Sequence, residues 1–241
     1  MIRSVLFDLD GTLVHYEADD FLGPYLGGLG RRASHIVDPR ILSRQLMKST
    51  QTMVRAADPS RTCEQVFAQD FFSSLGAPED QLQQVIEDYY AEDYPLIQQT
   101  VGILPHPDAR PMVQSLIDRG YEVVIATNPV FPLPAIEERM RWGGVLGLPY
   151  KLITSYETSC FCKPNPDYYQ EILDKISRRP EECIMVGNHM VEDMVASTLG
   201  ITTYLVEDYV MGQDGATFRP DFTGKFSDLV QFLASPQFEA L

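Results

Sequence analysis

A recurring pattern, a short apolar run followed by a helical stretch, constrains this chain more than any other feature. Residues 2–7 make the first run, ending at Asp8, and residues 121–126, 150–155, 182–186 and 201–206 repeat it. Apolar runs this short, bounded by polar or turn residues, read as buried strands. Helical patterns follow over 107–119 (closed by Gly120), 134–142, 166–176 (opened by Asn165-Pro166), 192–199 (closed by Gly200) and 227–233. Strands alternating with helices of this length require right-handed parallel crossovers. The expected fold is therefore α/β, built on a doubly wound parallel sheet.

Between the first strand and the rest, residues 15–101 carry helix signals alone. Asp38-Pro39 is an N-cap followed by proline at the first helical position, and Leu42, Leu46, Met53 and Ala57 recur at helical spacing. A second helix starts near Ser60, carries Val66, Phe67 and Phe71, and stops at Gly76; a third opens at Pro78. The segment 21–30 holds Gly23, Gly27, Gly28 and Gly30, which suits a mobile loop or a close helix-packing face. The expected organisation is an α/β core of residues 1–14 and 102–241, interrupted by an all-helical domain over 15–101.

Charge narrows the partners. The 241 residues carry 19 Lys+Arg against 34 Asp+Glu, a net −15. Nucleic-acid binders present a basic face to the phosphate backbone, so DNA and RNA are not the expected ligands. No apolar run approaches ~18 residues, which argues against a membrane-spanning helix. The opening MIRSVLFDLDG runs into acid too early for a secretory leader, so a cytoplasmic protein is expected. Cys160 and Cys162 form a C-x-C, but no second Cys/His pair lies at zinc spacing.

In open parallel sheets the ligand crevice lies beyond the carboxyl ends of the strands, so the residues there are the candidates. The first strand ends in Asp8-Leu9-Asp10-Gly11-Thr12. Alternation along the strand points Asp8 and Asp10 to one side, and Gly11 permits a tight turn. Two carboxylates so close suit a nucleophile and an acid/base. Thr127-Asn128 follows the second strand and offers a hydroxyl and amides to an oxyanion. Lys163, stiffened by Pro164 and Pro166, can neutralise a phosphate or a carboxylate nucleophile. The fourth strand ends in Gly187-Asn188-His189-Met190-Val191-Glu192-Asp193, rich in hard oxygen ligands that suit Mg²⁺.

The ordered set DLDGT, TN, KP and GN-x4-D resembles the haloacid dehalogenase-like (HAD) hydrolase superfamily, as does the helical insertion after the first motif. The resemblance implies a HAD-like, Rossmannoid core with an inserted helical cap. It implies that Asp8 attacks phosphorus to form an aspartyl-phosphate, and that Asp10 protonates the leaving group and then activates water. Thr127, Asn128 and Lys163 would bind the phosphoryl group. Mg²⁺ would be held by Asp8, Asp10, Asn188 and Asp193. Asn188 departs from the family pattern, which offers an acid there. The substrate implied is a small phosphorylated metabolite, and a residue such as Asp10 favours phosphate esters over haloacids, because halide leaves without a proton. A phosphomutase and a catalytically weak binding protein are the alternatives.

On the cap, Arg40, Arg44, Lys48 and Arg55 fall on one helical face. They are either a solvated face or an electrostatic guide that draws an anionic substrate into the crevice.

Overall fold

The computed structural model describes residues 1–214 and 217–241, and of residues 18–19 the backbone alone. Its six strands are β1 (Ser4–Phe7), β2 (Glu122–Ile125), β3 (Leu152–Ile153), β4 (Cys183–Gly187), β5 (Thr202–Val206) and β6 (Phe222–Gly224). They form one sheet in the order β3-β2-β1-β4-β5-β6, parallel throughout. Between β1 and β2 the chain inserts α1 (Ala18–Arg32), α2 (Pro39–Arg55), α3 (Cys63–Leu75), α4 (Glu79–Asp88) and α5 (Ile97–Val101). The later helices are α6 (Ala109–Asp118), α7 (Leu133–Trp142), α8 (Pro166–Ile176), α9 (Phe226–Leu233) and α10 (Pro236–Glu239).

The strands are apolar because both faces of the sheet are covered. Val5, Phe7, Val123, Ile125, Ile184 and Val186 turn to one face, where α6, α7 and α9 and the inserted helices share a single apolar cluster. Leu6, Val124, Cys183 and Met185 turn to the other, against Tyr168, Tyr169, Ile172 and Leu173 of α8. The chain runs from β1 outward to β2 and β3, then returns to add β4 on the opposite side. That reversal opens the crevice beside the carboxyl end of β1.

Local signals account for the inserted helices. Asp38 accepts hydrogen bonds from the Arg40 and Ile41 amides at the start of α2, with Pro39 at the first helical position. Thr62 and Gln65 form a reciprocal capping box on α3. The glycine-rich segment belongs to α1 and serves close packing: a Cβ on Gly28 would come within 2.9 Å of the Tyr89 ring, and one on Gly30 within 3.0 Å of Pro39. After α4 the helix widens over Tyr89–Asp93 and tightens over Tyr94–Leu96. Pro95 has no amide hydrogen to continue the regular pattern, and the change of pitch turns Tyr89 and Tyr94 both inward.

Two sequence expectations need correction. The helix expected from residue 192 begins instead as a tight turn at Met194–Leu199. The His189 ring accepts the Val191 and Glu192 amides, which diverts them from a helical ladder. β6 was not foreseen, because its three residues form no apolar run.

Candidate active site

Asp8 immediately follows β1, and its amide still bonds the Val186 carbonyl of β4 at 2.8 Å. The side chain is therefore fixed at the sheet rim. The loop before α8 delivers Lys163, which is 1% exposed. Its ammonium lies 2.8 Å from Asp8 Oδ1 and 2.6 Å from Asp193 Oδ1. Burial pushes the Asp8 carboxyl up to about 7, Asp193 and Asp10 add to the rise, and Lys163 opposes it. Burial disfavours the Lys163 ammonium, but Asp193 and Asp8 outweigh that and hold its pKa well above the usual lysine value.

The partners of this pair are themselves held. Asp193 Oδ2 accepts the His189 amide at 2.8 Å. Gly187 leaves it room, since a Cβ there would stand 2.1 Å from that same oxygen. Asn128 Oδ1 accepts the Lys163 amide at 3.2 Å, while its Nδ2 donates to Glu192 at 3.0 Å. The Thr127 carbonyl accepts the Thr154 and Tyr168 hydroxyls at 2.7 and 2.8 Å, which fixes the turn after β2. Asp8, Asp10, Thr127, Asn128, Asn188 and Asp193 all line one cavity of about 180 Å³.

Asp10 faces a different environment. Tyr16 Oη donates to its Oδ1 at 2.6 Å. Arg139 Nη1, from α7, donates to its Oδ2. Arg139 is 2% exposed and lies over the Phe131 ring, 4.4 Å from the centroid. Arg139, Phe131 and Tyr16 went unrecognised in the sequence, while Glu192 stood in the fourth motif as an oxygen donor and here accepts from Asn128. For Arg139 a signal existed: it shares a helical face with Ala135, Ile136 and Met140, all buried, whereas Arg141 faces solvent. An arginine on an apolar stripe needs a partner.

Of the side chains expected to hold Mg²⁺, Asn188, Asp193 and Asp10 carry other hydrogen bonds. Asn188 Oδ1 accepts the Thr12 hydroxyl at 3.2 Å, and its Nδ2 donates to the Tyr209 carbonyl at 2.5 Å. This amide packs on Gly11, where a Cβ would stand 2.3 Å from Nδ2. Both carboxylate oxygens of Asp193 are taken by Lys163 and His189, and both of Asp10 by Tyr16 and Arg139. Among the described residues no three Asp, Glu, His or Cys side chains group as a metal site. Asp8 Oδ2 and the Asp10 carbonyl keep oxygen donors that suit a divalent ion, whereas Asn188 and Asp193 are tied as arranged. His189 serves the loop, through its ring and its amide. The basic face of α2 also stays apart: Arg40, Arg44, Lys48 and Arg55 are exposed, and none lines the cavity.

Comparison with known proteins agrees with this layout. The chain is 23% identical over 234 residues to pyrophosphatase PpaX of Anoxybacillus flavithermus, covering 96% of this chain and 97% of that one. It is 25% identical over 232 residues to pyrophosphatase PpaX of Halalkalibacterium halodurans, covering 92% and 91%. Among solved structures it resembles a predicted phosphoglycolate phosphatase of Haemophilus somnus (TM-score 0.59, 17% identity, 96% and 97% covered). It also resembles the L-2-haloacid dehalogenase of Xanthobacter autotrophicus (TM-score 0.57, 17% identity, 98% and 100% covered). At these identities the structures establish the fold. The haloacid dehalogenase-like hydrolase family model matches residues 2–197, and the chain belongs to that family of hydrolases.

Proposed function

We propose that the protein hydrolyses a small phosphorylated metabolite, with Asp8 as the nucleophile toward phosphorus. The observation that carries this reading is the Asp8–Lys163–Asp193 chain at the rim of the sheet, whose two carboxylates line the same cavity as Thr127 and Asn128. Lys163 holds one Asp8 oxygen and leaves the other for attack. A carboxylate approaching a phosphate must have its repulsion offset, and a buried ammonium does so without reorganisation. The Thr127 hydroxyl and the Asn128 amide would bind the phosphoryl oxygens, since phosphoryl transfer is mostly positioning and charge stabilisation. Asp10 would take the proton of the water that releases phosphate from Asp8. A carboxylate has lone pairs beyond the two that Tyr16 and Arg139 occupy.

The names of the relatives, pyrophosphatase and phosphoglycolate phosphatase, support phosphorus chemistry. Charge makes divalent cations the first assay variable: among the described residues Asp8, Asp10, Glu192 and Asp193 line the cavity with one arginine, Arg139, and Lys163 lies behind Asp8 and Asp193. The test is p-nitrophenyl phosphate hydrolysis with and without Mg²⁺, for wild type and Asp8→Asn. Turnover by wild type that vanishes in Asp8→Asn is expected. No turnover under any metal would overturn the reading in favour of a ligand-binding protein, which the tied amide of Asn188 otherwise favours.

A further inference from the structure

Residues 62–101 hold eight acidic side chains and no Lys or Arg. Half of that charge is matched elsewhere in the fold. Arg32 of α1 pairs with Asp88, Glu92 and Asp93, and Asp70 accepts the Ser49 hydroxyl at 2.6 Å and the Gln45 amide at 3.2 Å. Glu64, Glu79 and Glu87 form no ion pair among the described residues, and neither does Glu157 of the core. These four glutamates line one cavity of about 450 Å³, and no Lys, Arg or His among the described residues lines it with them. The rest of its wall is largely apolar, with the rings of Phe67, Phe72, Tyr90 and Tyr156 and the edges of Pro132 and Pro134. It shares no lining residue with the catalytic cavity.

Helix position accounts for only part of this charge. Glu64 and Glu79 stand in the first turns of α3 and α4, where the helix dipole favours an anion. Glu87 stands in the last turn of α4, where the dipole opposes it, and it accepts the Gln83 amide at 3.0 Å. Glu157 accepts the Leu133 amide at the start of α7 at 2.9 Å. The carboxylates act on common neighbours. Burial and then Glu157 raise the Glu64 carboxyl, while burial, Glu64 and Glu157 push the Tyr156 hydroxyl up and Glu87 adds to the rise. Glu64, Glu87 and Glu157 therefore converge near Tyr156. The cavity also lies on a seam: α3 and α4 of the cap form one side and core residues 132–134 and 156–157 the other, joined where the Glu64 amide donates to the Tyr156 carbonyl at 2.8 Å.

We propose that this cleft binds a small organic ammonium ion, with its charged head among Glu64, Glu87 and Glu157 and its apolar body against Phe67, Phe72, Tyr90 and Tyr156. Charge and wall together select that class. An anion is repelled, a neutral apolar molecule gains nothing from the carboxylates, and a hydrated metal ion gains nothing from the rings. An ammonium carrying alkyl or aryl groups uses both, because aromatic faces attract cations as well as apolar surface. The volume is that of a small-molecule site rather than a groove for a folded partner. An occupant would touch cap and core at once, so it holds the two parts together and stabilises the folded chain by mass action. The site stands apart from the catalytic residues and holds whatever Asp8 does.

The test is calorimetric titration of the full chain with benzyltrimethylammonium and phenethylammonium, at constant ionic strength, followed by thermal unfolding with each. Benzyl alcohol supplies the body without the charge, and spermidine and KCl supply charge without the aromatic body. Saturable binding of one equivalent of the aromatic cations is expected, with Tm rising with concentration, and benzyl alcohol, spermidine and KCl binding at least about tenfold more weakly. Glu64→Gln with Glu157→Gln keeps both side-chain shapes and an acceptor for the Leu133 amide, and should weaken binding by about tenfold. Asp80→Asn makes a like change of charge on α4 outside the cleft, and should leave Kd within about twofold. Circular dichroism checks that each variant folds. No saturable binding of either aromatic cation by wild type up to roughly 10 mM would overturn the site. So would spermidine or benzyl alcohol binding as tightly as the aromatic cations, or Asp80→Asn weakening binding as much as the double variant. None of these results bears on the hydrolase reading, which p-nitrophenyl phosphate turnover tests separately.

Discussion

The two carboxylates of the first motif sit only two residues apart, yet they live in unlike surroundings. Asp8 belongs to a closed ionic chain, Asp8–Lys163–Asp193–His189 amide, built from strand ends and a loop of the core. Asp10 belongs to a cluster contributed by α7 and the inserted helices, with an arginine, two tyrosines and two spare donors. The first region is saturated within the core, which suits a nucleophile that must be held in one place. The second joins two parts of the fold and leaves two buried donors, Arg139 Nη2 and Tyr94 Oη, without a partner among the described residues. Pairs of titratable groups set in different environments take different roles.

The largest effect should come from breaking the saturated side. Lys163→Ala leaves Asp8 and Asp193 buried without their cation, and kcat/KM for p-nitrophenyl phosphate is expected to fall by roughly 10³-fold or more. Lys163→Arg, too wide for the pocket between the two carboxylates, should rescue little. A comparable activity in Lys163→Ala would show that the chain is structural.

Gly187→Ala attacks the same region through space alone. Its new Cβ would stand 2.1 Å from Asp193 Oδ2, so Asp193 must move and Lys163 with it. The expected cost is about 1–3 kcal/mol in stability by chemical denaturation, with a larger relative loss of activity. On the other side, Tyr16→Phe removes one donor to Asp10 and leaves Arg139 in place. Turnover should drop by about tenfold, and stability by about 1 kcal/mol, a milder effect than Lys163→Ala.

The pH profile sharpens the contrast further. Burial raises the Asp8 carboxyl from 3.8 to about 7, and in the role proposed for Asp8 the form that would attack is the carboxylate. Below that midpoint the free enzyme is protonated, so kcat/KM should fall about tenfold per unit of pH and level off above it. Asp193→Asn removes a like charge that raises Asp8, so the midpoint should move toward lower pH. The same sign applies to stability: a carboxyl raised in the folded state favours folding in acid, and that contribution is lost as pH climbs from about 4 to about 7. The smallest effect is expected on the cap surface. Arg44→Gln with Lys48→Gln changes exposed charges that do not line the cavity, and KM should shift less than about twofold.

The sequence made one of these regions readable and left the other hidden, for a physical reason. Strand ends are marked by apolar runs that stop at Asp8, Thr127 and Gly187, and the parallel fold obliges those ends to share one rim. The residues gathered there were therefore visible as motifs. The Asp10 cluster depends on tertiary packing between α7 and the residues around Tyr16 and Tyr94, and no periodicity records which helix face meets which. Asn188 shows the limit within a readable motif. Its residue type suited a metal ligand, but the Gly11 turn and the Tyr209 carbonyl claim its amide. The tight start at Met194 was hidden in the same way, since only the folded loop reveals that the His189 ring takes the Val191 and Glu192 amides.

The central claim is that Asp8 becomes bonded to phosphorus during turnover. A single-turnover reaction in ¹⁸O-labelled water, with substrate below enzyme, tests it by mass spectrometry of the released phosphate and of the peptide holding Asp8. Two displacements at phosphorus predict that the water oxygen appears in phosphate, and that a rapidly quenched sample carries a phosphoryl group on Asp8 that Asp8→Asn lacks. Turnover with no phosphoryl group at Asp8 at any quench time, and undiminished in Asp8→Asn, would contradict the account.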